Sequence, residues 1–297
     1  MQKGDAKMKN HVEIFEVGPR DGLQNEARAI PTAEKIALID LLSTAGFERI
    51  EVASFVSPKW VPQMADGAQV LAGITRGAAI SYAALTPNMK GFDAARAAQA
   101  DEIAIFASAS EGFSKANLNA SIAESLERFV PVAEAAKTHG IAMRAYVSCV
   151  TDCPFDGQIA PQQTARVVAA LRALGAYEVS LGDTIGQGRP ERVDAMLASV
   201  LEELPAAQLA GHFHDTGGFA LENIEVSLAR GLKVFDASVG GLGGCPYAPG
   251  AQGNVATEAV AARLAELGYE TGLDMDVLAR AAQMAHAMRG PTQESDQ

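Results

Sequence analysis

Two short stretches hold residues whose types and spacing could do chemistry. "EVGPRDGLQNE", residues 16–26, sets Arg20 beside Asp21 just after the apolar-alternating run "HVEIF". A turn uses the Gly and Pro of this stretch, but no turn requires adjacent opposite charges. Far downstream, "GHFHD" places His212 and His214 two residues apart. In a strand, residues i and i+2 share a face, so both imidazoles point one way and Phe213 the other. Two imidazoles on one face can reach one cation, with Asp21 adding a carboxylate and Asn254 an amide oxygen. Nitrogen and oxygen donors without thiolate fit a six-coordinate Mg²⁺ or Mn²⁺ better than a closed structural zinc. Adjacent residues leaving a strand point in different directions. Arg20 is therefore expected to face substrate while Asp21 faces the cation, and the two are not expected to pair.

These residues need a frame to bring them together. Eight short apolar or β-branched runs recur about every 32 residues, at 12–17, 48–54, 80–85, 102–108, 141–148, 177–183, 208–214 and 234–240. Amphipathic Ala-rich segments alternate with them. "SIAESLERFVPVAEAAKTHG" opens with a Ser cap, has Glu three residues on and ends at Gly140. Eight strand–helix units in about 250 residues is the rhythm of an α/β fold of the (β/α)₈ TIM-barrel type. A doubly wound open sheet would show a glycine-rich turn after its first strand, and "GPRDG" lacks the G-x-G-x-x-G spacing. A short extra C-terminal helix, roughly 274 to 289, is expected to trail the barrel.

A barrel gathers its chemistry at the C-terminal ends of the strands. Arg20 and Asp21 follow strand one, and Glu51 lies in strand two. Asp183 closes strand six, His212 and His214 end strand seven, and strand eight runs into "GGLGGCPYAPGAQGN" with Cys245 and Asn254. A long Gly-rich loop of this kind acts as a lid or binding loop, and its closure would carry Cys245 to a reacting carbon. Asp215, pointing away from its histidine neighbours, is expected to cap a helix or to support the ligands from behind. An inward Arg must be paired, so Arg144 is expected to meet Glu178 on the neighbouring strand.

Bulk properties narrow the class. The chain has 297 residues, 48% hydrophobic, with net charge −12 and pI near 4.9. That is enough for one large core, and it argues against a nucleic-acid surface. Three cysteines are too few for a disulfide framework and point to a reducing, cytoplasmic setting, with Cys149 and Cys153 structural. No secretory h-region and no 18-residue apolar run is present, so no membrane partner is expected. The organisation expected is a disordered leader over 1–11, one catalytic barrel domain over 12–290 and a polar tail over 291–297.

"VGPRDGLQNE", "GHFHDTGG" and "DASVGGLGGCPYAPGAQGNVATE" resemble the signatures of the 3-hydroxy-3-methylglutaryl-CoA lyase family, within a wider group of metal-dependent barrel lyases and synthases. The likeness runs from about residue 12 to 270, and the Cys-bearing loop points to the lyase in particular. The resemblance implies cleavage of an acyl-CoA, hydroxymethylglutaryl-CoA, to acetyl-CoA and acetoacetate, and a homodimer. It implies that Asp21, His212, His214 and Asn254 bind the divalent cation and that Glu51, Asp183 and Cys245 contribute to catalysis. Gly217 departs from the pattern, which has a larger residue there, and is expected to loosen the turn after strand seven. The chemistry is a retro-Claisen step. It requires a base for the tertiary hydroxyl (Asp21 or His212), Arg20 at the thioester oxygen, and an acid, Cys245, for the departing enolate. The rivals are a condensing synthase, a pyruvate-type aldolase of the same barrel group, a lyase for a longer branched 3-hydroxyglutaryl-CoA, and a silent barrel.

Overall fold

Residues 10–243 and 253–289 are described by a computed structural model of the chain. All eight expected runs form strands: β1 Glu13–Glu16, β2 Arg49–Ser54, β3 Ser81–Leu85, β4 Glu102–Ser108, β5 Ala142–Ser148, β6 Val179–Asp183, β7 Leu209–Phe213 and β8 Val234–Ala237. They are parallel and close into a barrel in the order β1-β8-β7-β6-β5-β4-β3-β2. Helices cover the outside while side chains fill the inside, so the strands are buried on both faces. The chain has a (β/α)₈ TIM-barrel fold.

Local sequence sets the helices in place. The helix Ile122–His139 starts from a full capping box between Ser121 and Glu124 and stops at Gly140, whose φ of 65° suits glycine. The carboxylate of Asp215 accepts the N–H of Ala220, first residue of the helix Ala220–Ala229, from five residues upstream, while Phe219 holds the N-cap position. The last helix, Met275–Arg289, packs against helix Thr32–Leu42 and the turn Val239–Gly241 that follows β8. Gly240 allows this approach, since a Cβ there would lie 3.2 Å from that of Ala285. Residues 10 and 11, expected in the leader, belong to the described structure. The Glu270 N–H donates to the Asn10 carbonyl and the Val12 N–H to the Glu270 carbonyl, each at 3.0 Å, which ties 10 and 11 to the barrel.

Charged groups occupy the inside of the barrel. Arg144, fully buried, meets Glu178 at 2.7 Å, as expected, and also Asp236 at 2.7 Å. Its guanidinium lies over the rings of Phe15 and Tyr146, 4.5 and 4.9 Å from their centroids. Two carboxylates and two ring faces offset the cost of burying this cation. Below it, Arg49 meets Glu13 and Glu178, and Glu102 accepts from Ser81 and Tyr177. A shallow cavity of about 500 Å³ opens at this N-terminal end, but each carboxylate lining it is paired, which makes the end structural.

Glu16, on the outer face of β1, ties the turn after β8 to the barrel. It accepts from the N–H groups of Gly18 and Val239 and from the Thr257 hydroxyl. Burial pushes it up to about 7 in spite of these bonds. Unfolded Glu titrates near 4.3, so between about 4.3 and 7 the folded chain holds the extra proton. Stability from this group is therefore full below that window and lost as pH rises through it. The loss is on the order of 4 kcal/mol, and Glu16→Gln should flatten that part of the profile. Urea midpoints at several pH values check this, and an unaltered slope in the variant would exclude Glu16 as the source.

Candidate active site

After β1 the chain does not continue extended but winds through a π-turn, Gly18–Gly22. Side chains on such a turn diverge less than on a strand, so Arg20 can fold back on its neighbour. It does: Arg20 Nη1 donates to Asp21 Oδ1 at 2.6 Å. This corrects the expectation that the two would point apart. Arg20 Nε and Nη2 also hold Glu51 Oε2, at 2.6 and 2.5 Å. The Tyr146 hydroxyl donates to the same oxygen at 3.1 Å, and its ring lies under the Arg20 guanidinium at 5.5 Å. The Arg20 fork is thus fixed on three sides.

Asp21 leads to the second half of the site. Its Oδ2 accepts from Asn254 Nδ2 at 2.9 Å and stands 3.9 Å from His212 Nε2. The rings of His212 and His214 are 5.3 Å apart, on the shared face that their spacing requires. One ligand atom each from Asp21, His212 and His214 lies within 4.8 Å of the others. Protonation favours ligation too. Burial raises Asp21, but Arg20, both histidines and the Asn254 bond outweigh it and hold the carboxyl at about 2. Burial and the charge of His212 push His214 down to about 4, leaving its imidazole neutral near pH 7. His214 Nδ1 is buried with no hydrogen-bond partner. An anionic oxygen and a neutral imidazole with a buried, unpartnered Nδ1 fit a divalent cation. Asn254 presents its Nδ2 to Asp21, so serving as an oxygen ligand needs a half-turn of its amide.

Asp236 on β8 is a residue that sequence reasoning missed. It accepts from Arg144, from the Ser180 hydroxyl at 2.7 Å, and faces His212 Nδ1 at 3.1 Å. Burial raises it, but Arg144 and His212 hold it well below the usual carboxylate range. It fixes the ring of His212 and leaves Nε2 toward Asp21. The available signal was an acid at every-second-residue register with inward groups, since Asp236 pairs with Phe15 and His212 across the sheet. Asp236→Asn should weaken Mn²⁺ binding by roughly 10–100-fold, the usual cost of removing a carboxylate behind a metal-binding histidine. Calorimetric titration reads it, and unchanged affinity would reduce Asp236 to a partner of Arg144.

The remaining expected residues divide. Glu51 is inside the cluster, its other oxygen, Oε1, buried and unpartnered. Burial lifts its pKa, with Arg20 opposing. Asp183 is not brought in: it pairs in register with Phe213, on the outward face, and accepts the Gly188 N–H at 2.9 Å. Burial pushes it up to about 6. Cys245 lies outside the described residues. Gly217 tightens its turn instead of loosening it, because its N–H donates to the Gly186 carbonyl at 2.8 Å and a Cβ would sit 2.6 Å from that oxygen. Cys149 and Cys153 are free and buried.

The HMGL-like family profile matches residues 11–285. The chain is 55% identical over 284 residues to the 3-hydroxy-3-isohexenylglutaryl-CoA/hydroxymethylglutaryl-CoA lyase of Pseudomonas aeruginosa, spanning 96% of this chain and 95% of that one. It is 55% identical over 270 residues to the mitochondrial hydroxymethylglutaryl-CoA lyase of Bos taurus, with 91% and 83% spanned. A crystal structure of the HMG-CoA lyase from Brucella melitensis superposes with a TM-score of 0.94 at 62% identity, covering 95% of this chain and 100% of that one.

Proposed function

The chain belongs to the HMGL-like family, and from that premise we propose that its barrel mouth cleaves 3-hydroxy-3-methylglutaryl-CoA to acetyl-CoA and acetoacetate. The observation that carries this reading is the joining of two sites in one turn. Asp21 belongs to the cation cluster while Arg20, bonded to it, presents a fixed cationic fork. A retro-Claisen cleavage has two charged ends, and this pair serves both.

Asp21, His212 and His214 would hold Mg²⁺ or Mn²⁺, with Asn254 beside them. A divalent cation so held supplies positive charge that acidifies the substrate's tertiary hydroxyl and steadies its carboxylate end. Asp21, held at about 2, is a poor proton acceptor. Asp236 engages Nδ1 of His212 and leaves Nε2 as the one lone pair of that ring, which can serve either the cation or the hydroxyl proton. Glu51 and Tyr146 lock the Arg20 fork, which meets the thioester oxygen as negative charge gathers there on C–C cleavage. Protonation of the enolate carbon is assigned to Cys245, since a thiol's reference pKa of about 8.5 suits proton donation near neutrality. Asp183, facing outward, acts by shaping the loop through Gly188.

Acetoacetate release from hydroxymethylglutaryl-CoA tests the reading, measured with Mg²⁺, with Mn²⁺ and after EDTA. Turnover should vanish with EDTA and return with either metal. Tight metal binding without any cleavage would keep the site and discard the substrate. No helix among the described residues is long and apolar enough to cross a membrane. The free thiols of Cys149 and Cys153 support placement in a reducing compartment.

A further inference from the structure

One side of the barrel interior carries apolar side chains and ends at Tyr146, whose ring has the Arg20 and Arg144 guanidinium groups 5.5 and 4.9 Å from its centroid. Leu85 ends β3, Ala104 faces it in register on β4, and Tyr146 stands on β5. These three form a cluster of their own inside the barrel, separate from the main core, with the half-buried Val56 and Phe106 packed on it. Phe106 is braced from behind by Phe129 of the helix Ile122–His139, ring centroids 6.0 Å apart. The sheet order sets β3 and β4 across the mouth from β1 and β7, which carry the Asp21–His212–His214 corner, while the Tyr146 ring of β5 reaches to 6.1 Å from that of His212. Arg20 and Glu51 lie between, reached by the Tyr146 hydroxyl.

Resting on the reading above, the substrate's carbinol carbon has four arms. The hydroxyl and the carboxymethyl arm carry the groups suited to the cation corner, and the thioester arm carries the oxygen suited to Arg20. The alkyl arm has no polar atom and gains only by leaving water. We infer that the alkyl substituent lies against the Leu85–Ala104–Tyr146 wall, and that Leu85 and Phe106 limit its length. Ala104 is the small residue of this cluster and Leu85 and Phe106 the large aliphatic and aromatic ones beside it, so those two would set how long an alkyl group can lie there. Leu85 and Phe106 are then specificity-determining residues, and the wall is where acyl-chain preference is set.

The test is a ratio of kcat/KM values for two substrates, 3-hydroxy-3-methylglutaryl-CoA and its 3-butyl homologue. Discrimination at an apolar pocket runs roughly 10–200-fold per methylene-sized change, so wild type should favour the methyl compound by roughly 100-fold or more. Leu85→Ala should move the ratio toward the butyl compound by roughly 10–100-fold, with Phe106→Ala acting in the same direction. Val56→Ala, at a half-buried rim position, supplies a milder variant should either of those fail to fold. A variant that is merely damaged lowers both rates and leaves the ratio alone. A ratio unchanged within about threefold in folded Leu85→Ala and Val56→Ala, far short of the effect expected of a pocket wall, would overturn the inference. Calorimetric binding of the same two acyl-CoAs reads the preference without turnover. Failure of wild type to cleave either compound would count against the proposed reaction, while the binding ratio would still judge the wall.

Discussion

Arg20→Lys lowers kcat by roughly 100-fold or more, corresponding to roughly 3–4 kcal/mol for removing a preorganised donor at a developing oxyanion. The loss comes from geometry, since the charge is kept. In the native site Nε and Nη2 grip Glu51, Nη1 grips Asp21, and the guanidinium plane rests over Tyr146. An ammonium is a point charge and cannot fill three directions from one plane. Glu51, fully buried, would lose part of its compensation and bind a proton more readily, because burial already pushes it upward. KM for the acyl-CoA should change much less than kcat, since the donor matters most where charge develops. Steady-state kinetics of the variant, with circular dichroism to confirm folding, decides the matter. Near-normal turnover would remove Arg20 from the mechanism.

Asp21→Asn has a larger effect, on the order of 1000-fold in kcat, about 4 kcal/mol, because the cation corner and the Arg20 clamp lose the same anion. The amide is nearly isosteric, so packing is kept and the change is electrical. Two neutral or weakly charged histidines then share the corner with no anionic oxygen, and Mn²⁺ affinity should collapse. The His212 pKa should fall as well, because Asp21 is one of the charges raising it after Asp236. Electron paramagnetic resonance titration with Mn²⁺ separates the two losses. If Mn²⁺ binds the variant as it binds wild type, Asp21 is not a ligand, and its role reduces to orienting Arg20.

The positions of the strands were readable along the chain because each is buried on both faces and so appears as a short apolar run. The H-x-H pair was readable for a related reason: strand period alone puts His212 and His214 on one side. The Arg144–Glu178 contact followed from the cost of an unpaired interior cation. Each of these needed only local geometry or a rule about burial.

Other features depended on contacts between distant segments. The Arg20–Asp21 pair forms because a π-turn replaces extended chain after β1, and Glu51 on β2 completes the clamp. Asp236 looked like any strand acid, yet barrel closure sets it against Arg144, Ser180 and His212 together. Asp183 shared its position at a strand end with true mouth residues, but pairing with Phe213 turns it outward. Gly217 could be judged only against the Gly186 carbonyl.

By itself, then, the sequence determined which residue types were available, which of them share a strand face, and the eightfold rhythm that closes the barrel. The tertiary structure alone decided which charges touch, since attraction between buried groups depends on separations of a few ångströms set by strand register and turn shape.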